Sequence, residues 1–282
     1  MQLGVFAKTF EGNTPRQVMQ AAAGAGYSAV QYNMACSGLV AMPVEIVPEV
    51  ANAVAAAARS EGIAVAAVSG TYNMIHPDRA VRQQGHRRLE VIAANCRAMN
   101  TRLITLCTGT RDPHDQWRHH PDNQSAASWK DLLESMAVAV AIAERHDIEL
   151  GIEPELANTV NSAAAAGRLI ADVASPRLRI ILDAANLFEH ESLVVQRRIV
   201  AGAISLLSAH IAMAHAKDRN PDGGFVAAGQ GVLDYAHYIA CLAQSGFNGP
   251  FVTHGLSAEE APVSAQFLRH ALDEAGVKSS DD

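Results

Sequence analysis

The sequence predicts an α/β fold, a (β/α)8 or TIM barrel that forms a single domain over residues 1–282. Short apolar runs of strand length recur eight times along the chain, and alanine-rich stretches with helical spacing lie between them. This alternation predicts parallel strand–helix units, and eight such units can close into a barrel. The length of 282 residues also suits one barrel of this kind.

Each predicted strand is a short, mostly apolar run, as expected for a strand that is buried on both faces of a parallel sheet. In chain order the predicted strands are Leu3–Phe6, Ala29–Tyr32, Ala64–Ser69, Leu103–Cys107, Glu149–Glu153, Leu178–Asp183, Ile211–His215 and Phe251–His254. The predicted helices between them include Pro15–Ala25, Val47–Glu61, Arg79–Met99, Trp129–His146, Ser162–Val173 and Leu233–Gln244. Gly26, Gly62 and Gly246 precede strands, at places where a left-handed residue commonly ends a helix.

An open, doubly wound sheet is the competing fold. Such a sheet usually has a glycine-rich phosphate loop after its first strand. Here the strand that ends at Phe6 is followed by Ala-Lys-Thr-Phe instead, which favours the barrel. Two long connections, Thr108–Ser128 and Arg219–Gly231, are predicted to form lids or walls of a substrate site.

The composition predicts a soluble, cytoplasmic protein that binds neither nucleic acid nor a membrane. A net charge of -7 gives no electrostatic basis for binding a polyanion. The four cysteines are scattered without a CxxC pair, so we expect reduced thiols. The sequence has no signal-peptide pattern, no apolar run of membrane length, no P-loop, no dinucleotide fingerprint and no serine-hydrolase elbow.

Four late strands are predicted to end in a side chain that can bind a metal ion. These side chains are Glu153, Asp183, His215 and His254, and the carboxyl ends of all barrel strands meet at one mouth. Unpaired buried charges there would cost several kcal/mol, so a compensating cation is expected. Mixed oxygen and nitrogen ligands suit one divalent ion, namely Mn²⁺, Co²⁺, Fe²⁺, Zn²⁺ or Mg²⁺. The alternative is a hydrogen-bonded polar cluster without metal.

Four segments of the chain carry a family resemblance. The runs Gly151–Pro154, Ile181–Asn186, His215–Asp218 and Phe247–Pro250 resemble signature segments of the xylose-isomerase-like TIM barrel superfamily, the sugar phosphate isomerase/epimerase family. That superfamily includes sugar and sugar-phosphate isomerases and epimerases, hydroxypyruvate isomerase, inosose dehydratase and endonuclease IV. Endonuclease IV-like activity is disfavoured here, because it needs more metal ligands and a basic face.

The resemblance implies a glutamate, an aspartate, a histidine and a second glutamate as metal ligands. Glu153, Asp183 and His215 match this pattern, but His254 stands where the second glutamate would be. Asn186 stands where many epimerases of the group carry a substrate-contacting histidine, so the resemblance implies that Asn186 binds substrate. These departures weaken an epimerisation by two carboxylates, whereas Glu153 and His254 could still form an acid/base pair.

Further candidates lie near the expected mouth. Lys217 could stabilise an oxyanion or bind a substrate anion, or it could form an ordinary salt bridge. Arg111 and Trp117 in the long fourth loop could cover and grip a substrate, and His76 after the third strand could also reach it. Each of the three could equally serve only local packing or capping.

These observations predict a divalent-metal-dependent isomerase or epimerase of a small sugar, sugar acid or hydroxy-keto compound, acting through a metal-stabilised enediolate. The alternatives are a lyase on the same site, either a decarboxylase or a dehydratase, and a non-catalytic sugar-binding barrel. Replacement of a glutamate by His254 favours the lyase, because that chemistry needs no second carboxylate. The expected partner is a small carbohydrate, and a homodimer or homotetramer is possible for such barrels.

Overall fold

The computed structural model describes residues 1–277. Eight parallel strands form a closed barrel in the order β1-β2-β3-β4-β5-β6-β7-β10, and β10 pairs back onto β1. The barrel strands are β1 (Gln2–Phe6), β2 (Ala29–Tyr32), β3 (Ala64–Ser69), β4 (Leu103–Cys107), β5 (Glu149–Glu153), β6 (Leu178–Asp183), β7 (Ile211–Ala216) and β10 (Pro250–Thr253). The predicted TIM barrel is therefore confirmed, while residues 278–282 of the predicted domain lie outside the described residues.

Eight α-helices follow the strands in the described part of the chain and cover the outside of the barrel. They are α1 (Pro15–Gly24), α2 (Pro48–Glu61), α3 (Arg79–Cys96), α4 (Ala126–His146), α5 (Ala163–Val173), α6 (Leu193–Leu207), α7 (Tyr235–Gln244) and α8 (Ala261–Glu274). Several begin at a side-chain cap: Asp78, Ser125 and Ser162 each accept a hydrogen bond from a backbone N–H of the first turn. No described helix has both the length and the low polarity of a membrane span.

The strand pleat separates two cores. Residues that point outward from the strands pack under the helices in one large apolar cluster. Residues of opposite parity point into the barrel, where a small apolar layer fills the interior: Ala67, Leu103, Ile181, Met213 and Val252. Two residues further along each strand, the inward side chains reach the mouth of the barrel. The alternation thus places polar residues directly above an apolar floor.

The predicted strands agree with the observed ones to within one residue at each end. The last strand ends at Thr253, so His254 is the first residue after it rather than its final residue. α4 begins three residues before the predicted Trp129, because Ser125 caps it at the end of a short 3-10 turn. The predicted loop after the seventh strand holds a two-stranded antiparallel ribbon, β8 (Asp218–Arg219) and β9 (Phe225–Val226).

Two helical glycines make a matched test of the packing. A Cβ at Gly85 in α3 would overlap the ring of Tyr72, whereas a Cβ at Gly202 in α6 would have open space around it. We expect Gly85→Ala to lower the free energy of unfolding by about 1–3 kcal/mol through overpacking. Gly202→Ala should raise it by about 0.5–1 kcal/mol, because alanine favours a helix interior over glycine. Urea unfolding followed by circular dichroism would measure both, and a shift of both variants in the same direction would contradict this packing.

Candidate metal centre

The four predicted ligand side chains lie together at the mouth of the barrel. Glu153 and Asp183 end β5 and β6, His215 lies one residue before the end of β7, and His254 directly follows β10. Each has the inward parity of the strand that carries it. One ligand atom from each of the four lies within 4.8 Å of those from the other three.

Hydrogen bonds link the four side chains in two pairs. His215 Nδ1 lies 3.1 Å from Glu153 Oε1, and His254 Nε2 lies 2.9 Å from Asp183 Oδ2. Lys217 Nζ lies 3.1 Å from the same oxygen of Asp183. The two imidazole rings stand 4.4 Å apart between their centroids, so the pairs form one compact group.

Burial and charge act against each other in this group. Burial alone would raise the pKa of Asp183, but the Lys217 ammonium and the His254 imidazole hold this pKa well below its ordinary value. Burial also opposes ionisation of Glu153, yet the neighbouring imidazoles of His215 and His254 hold the pKa of Glu153 below its ordinary value. Both carboxylates are therefore ionised at neutral pH and can act as ligands.

Two neighbouring groups are neutral at neutral pH for the same reasons. Burial, together with the Lys217 ammonium and His215, lowers the pKa of His254. The unprotonated imidazole is the form that binds metal ions. Burial and the nearby Glu153 carboxylate raise the pKa of Glu155 to about 8. Glu155 therefore carries a proton that it can donate in a hydrogen bond.

This donor set fits one divalent cation. Two ionised carboxylates supply two negative charges, and two imidazoles supply nitrogen donors, in a group compact enough to surround a single ion. Lys217 is the cation that already touches Asp183, and its single positive charge leaves one of the two negative charges uncompensated. Without an ion, the same side chains form a hydrogen-bonded polar cluster.

A cavity of about 430 Å³ opens directly above the group. It is lined by residues at the ends of most strands and in the loops after them, including Gln31, Trp117, Glu153, Glu155, His215, Lys217 and His254. Trp117 is half-exposed at the rim, where its ring can cover a small ligand. A pocket of this size with a few convergent polar groups is the usual form of a small-molecule site.

The structure does not bring His76 and Arg111 to this cavity. Among the described residues, His76 lines an adjoining groove of about 350 Å³, and its ring nitrogens contact the Pro113 carbonyl and the Asp78 N–H. The Arg111 guanidinium is held by Asp131 at 2.7 Å and by Ser128 at 2.7 Å. Both side chains thus take part in loop structure in this arrangement.

Asn186 is buried beneath the cavity, and both ends of its amide are engaged. Asn186 Nδ2 donates to Glu153 Oε1 at 2.8 Å, and its Oδ1 accepts from Lys217 Nζ at 2.8 Å. In this arrangement Asn186 connects the lysine to the glutamate, and it is not among the residues that line the cavity. Its predicted substrate contact stays a prediction that this geometry does not support.

The prediction of site residues from the ends of the late strands also missed a residue. Gln31 on β2 points into the barrel and contacts His215 Nε2 at 2.8 Å through Oε1. Only the late strands were expected to carry ligands, although the same inward parity applies to every strand. A buried glutamine inside an otherwise apolar strand was the available signal.

Comparison with known proteins extends these observations. A family model described as xylose isomerase-like TIM barrel matches residues 19–271. Over 200 residues the chain is 26% identical to the L-ribulose-5-phosphate 3-epimerase UlaE of Shigella flexneri serotype 5b (strain 8401). That match covers 70% of this chain and 65% of that enzyme, which is less than two thirds of its length.

Solved structures of similar fold include two epimerases. The 3-keto-D-glucoside 4-epimerase YcjR from E. coli superposes with a TM-score of 0.76 at 17% identity, covering 96% of this chain and 99% of that chain. An L-ribulose 3-epimerase superposes with a TM-score of 0.76 at 16% identity, covering 98% of this chain and 95% of that chain. The superpositions show that the fold is shared, and at identities this low they show the fold alone.

The ion pair between Lys217 and Asp183 generates a stability prediction. Both side chains are buried, so Lys217→Met would leave the Asp183 carboxylate without its cation. With metal removed by a chelator, we expect this variant to lose about 3–5 kcal/mol of unfolding free energy. The matched control is Lys130→Met, which removes an exposed pair with Glu134 and should cost less than about 1 kcal/mol. Equal small losses in both variants would show that Lys217 does not sustain the buried charge.

Proposed function

The chain belongs to the xylose isomerase-like TIM barrel family, and from this membership and the geometry of its mouth we propose a divalent-metal-dependent isomerase or epimerase. The proposed substrate is a small sugar, sugar acid or hydroxy-keto compound. The observation that carries the proposal is the compact group of Glu153, Asp183, His215 and His254 at the base of an open cavity. The sugar epimerases among the similar proteins support the choice of reaction.

The proposed ligands of the cation are the four side chains of this group. A bound divalent ion would act as a Lewis acid toward a carbonyl and its adjacent hydroxyl, which acidifies the neighbouring C–H bond. Asp183 is best suited to hold the ion without taking part in proton transfer, because it is fully buried and also contacts Lys217. The other three side chains line the cavity and are accessible to a substrate.

Glu153 is the proposed base. Its carboxylate is ionised, and Asn186 and His215 both contact Oε1, which fixes the orientation of the side chain. In the proposed reaction it takes the proton from the carbon next to the substrate carbonyl. An isomerase with one base then returns that proton to the neighbouring carbon. Glu155, which carries its proton at neutral pH, is placed to donate a hydrogen bond to a substrate oxygen.

His254 is the proposed second acid/base group. Asp183 engages its Nε2, which leaves Nδ1 for proton transfer, and the ring lines the cavity. An epimerase would need this imidazole to return a proton to the opposite face of the substrate. The lowered pKa of His254 works against the protonated form that such a step requires. Isomerisation with Glu153 as the single base is therefore the better supported of the two reactions.

The lowered pKa of His254 favours one second candidate function, a lyase. A decarboxylase or dehydratase of a keto sugar acid loses carbon dioxide or water and needs no second residue to return a proton stereospecifically. Lys217 and Trp117 fit either reaction, since Lys217 offers positive charge at the cavity wall and Trp117 covers the opening. The products distinguish the two functions directly.

Turnover in deuterated water tests the proposal. The protein, supplied with Mn²⁺ or Co²⁺, is incubated with a panel of ketoses, ketose phosphates and keto sugar acids, and the products are followed by NMR. An isomerase or epimerase should place solvent deuterium on the carbon next to the carbonyl, and Glu153→Gln should slow this exchange about 10²- to 10⁴-fold. Glu149→Gln is the matched control, since Glu149 opens the same strand and pairs with Arg179 away from the site.

The other outcomes have definite meanings. Release of carbon dioxide or water would contradict the isomerase and show that the protein is a lyase. Binding of sugars without any exchange or product would contradict an enzyme and favour the non-catalytic sugar-binding barrel. Full activity of Glu153→Gln would contradict the assignment of the base.

A further inference from the structure

The buried amide of Gln31 lies between a proposed metal ligand and two hydroxyl groups. Gln31 Nε2 donates to Ser69 Oγ at 3.2 Å and to Thr105 Oγ1 at 3.1 Å. On the other side, Gln31 Oε1 lies 2.8 Å from His215 Nε2. All four residues are largely buried in the interior of the barrel, where they form part of the cavity floor. Bulk water is therefore a poor substitute for any of these contacts.

The direction of these hydrogen bonds determines the tautomer of His215. An amide nitrogen only donates and an amide oxygen only accepts, so Gln31 Oε1 must receive the N–H of His215 Nε2. A neutral imidazole carries a proton on one ring nitrogen only. A histidine that binds a metal ion is neutral, so with Nε2 protonated the ion would bind Nδ1, which lies 3.1 Å from Glu153 Oε1.

Without an ion, a proton between His215 Nδ1 and Glu153 Oε1 makes the hydrogen bond seen here, and a bound cation would take the place of that proton. Glu153 Oε1 already accepts the N–H of Asn186, so its role as an acceptor is defined as well. The orientation of these three side chains is thus suited to a cation held jointly by His215 Nδ1 and Glu153. With the ion bound, the Nε2–H group becomes an obligatory buried donor whose acceptor is Gln31.

We propose that Gln31 is a positioning residue that holds the Nε2–H tautomer of His215 and so makes Nδ1 the nitrogen that binds the divalent cation. This inference rests on the proposed metal-dependent function. It assigns a role to a β2 residue that is not one of the proposed ligands of the ion. Partners of this kind on the far nitrogen of a ligand histidine commonly tune metal affinity.

The opposite orientation of the amide shows why the residue matters. If the Gln31 amide turned over, Ser69 and Thr105 could donate to its oxygen, and its nitrogen would donate to His215 Nε2. The imidazole proton would then sit on Nδ1 and point at Glu153, in the place that the cation needs. Amide orientation and cation binding are therefore linked, and an acceptor opposite Nε2 favours the state that binds the ion.

Metal affinity in three variants tests this role. Zn²⁺ and Co²⁺ affinities are measured by competition with a chromophoric chelator. Gln31→Met keeps the size of the side chain but removes the acceptor, and we expect it to weaken binding about 10- to 100-fold. Gln31→Glu keeps an acceptor opposite Nε2 and should retain or tighten the wild-type affinity. Gln196→Met is the matched control, since Gln196 is a buried glutamine of α6, and it should leave the affinity unchanged.

The tautomer can be read in the wild-type protein, independently of whether any variant folds. Histidines labelled with ¹⁵N are observed by NMR in the Zn²⁺-loaded protein, and His215→Asn identifies the signals of His215. We expect a protonated Nε2 and a metal-bound Nδ1. A protonated Nδ1 with the metal on Nε2 would overturn the inference.

Failure of this inference is distinct from failure of the proposed function. If the wild-type protein binds Zn²⁺ or Co²⁺ and Gln31→Met binds it equally tightly, only the role of Gln31 is wrong. If the wild-type protein binds neither ion, the metal-dependent function is wrong and the inference fails with it.

Discussion

The arrangement at the mouth of the barrel depends on the compensation of two buried carboxylates. Glu153 and Asp183 come from neighbouring strands and lie in one group with two imidazoles; the Asp183 side chain is fully buried, and Glu153 lies at the floor of the cavity. Burial makes each negative charge costly, and repulsion between them adds to the cost. Lys217 offsets part of the charge on Asp183. A divalent ion between the carboxylates would offset the remainder.

The barrel produces this group through the pleat of its strands. Ile181 and Met213 fill the interior layer, and two residues later on the same strands Asp183 and His215 reach the mouth with the same inward parity. The apolar layer excludes water from below, while the cavity admits a ligand from above. Stability and function are thus divided along each strand, with packing at one end and chemistry at the other.

The strands and much of the group at the mouth could be predicted from the sequence, because their positions depend on strand periodicity. Apolar runs and their polar final residues identified the strands to within one residue and brought Glu153 and Asp183 together. His76 and Arg111 follow strands in long loops, where no periodicity indicates the direction of a side chain, and both turn to neighbouring loop groups. The contacts of Asn186 were equally inaccessible, since hydrogen-bond partners from distant strands leave no local pattern in the sequence.

The most direct test of the shared cation is anomalous X-ray diffraction from crystals grown with Mn²⁺. We expect one strong anomalous peak at the mouth of the barrel, within bonding distance of Glu153, Asp183, His215 and His254. If no peak occurred there while Mn²⁺ was bound elsewhere, or if the peak touched only one of the four side chains, the central claim would be wrong. The hydrogen-bonded cluster without metal would then be the correct description.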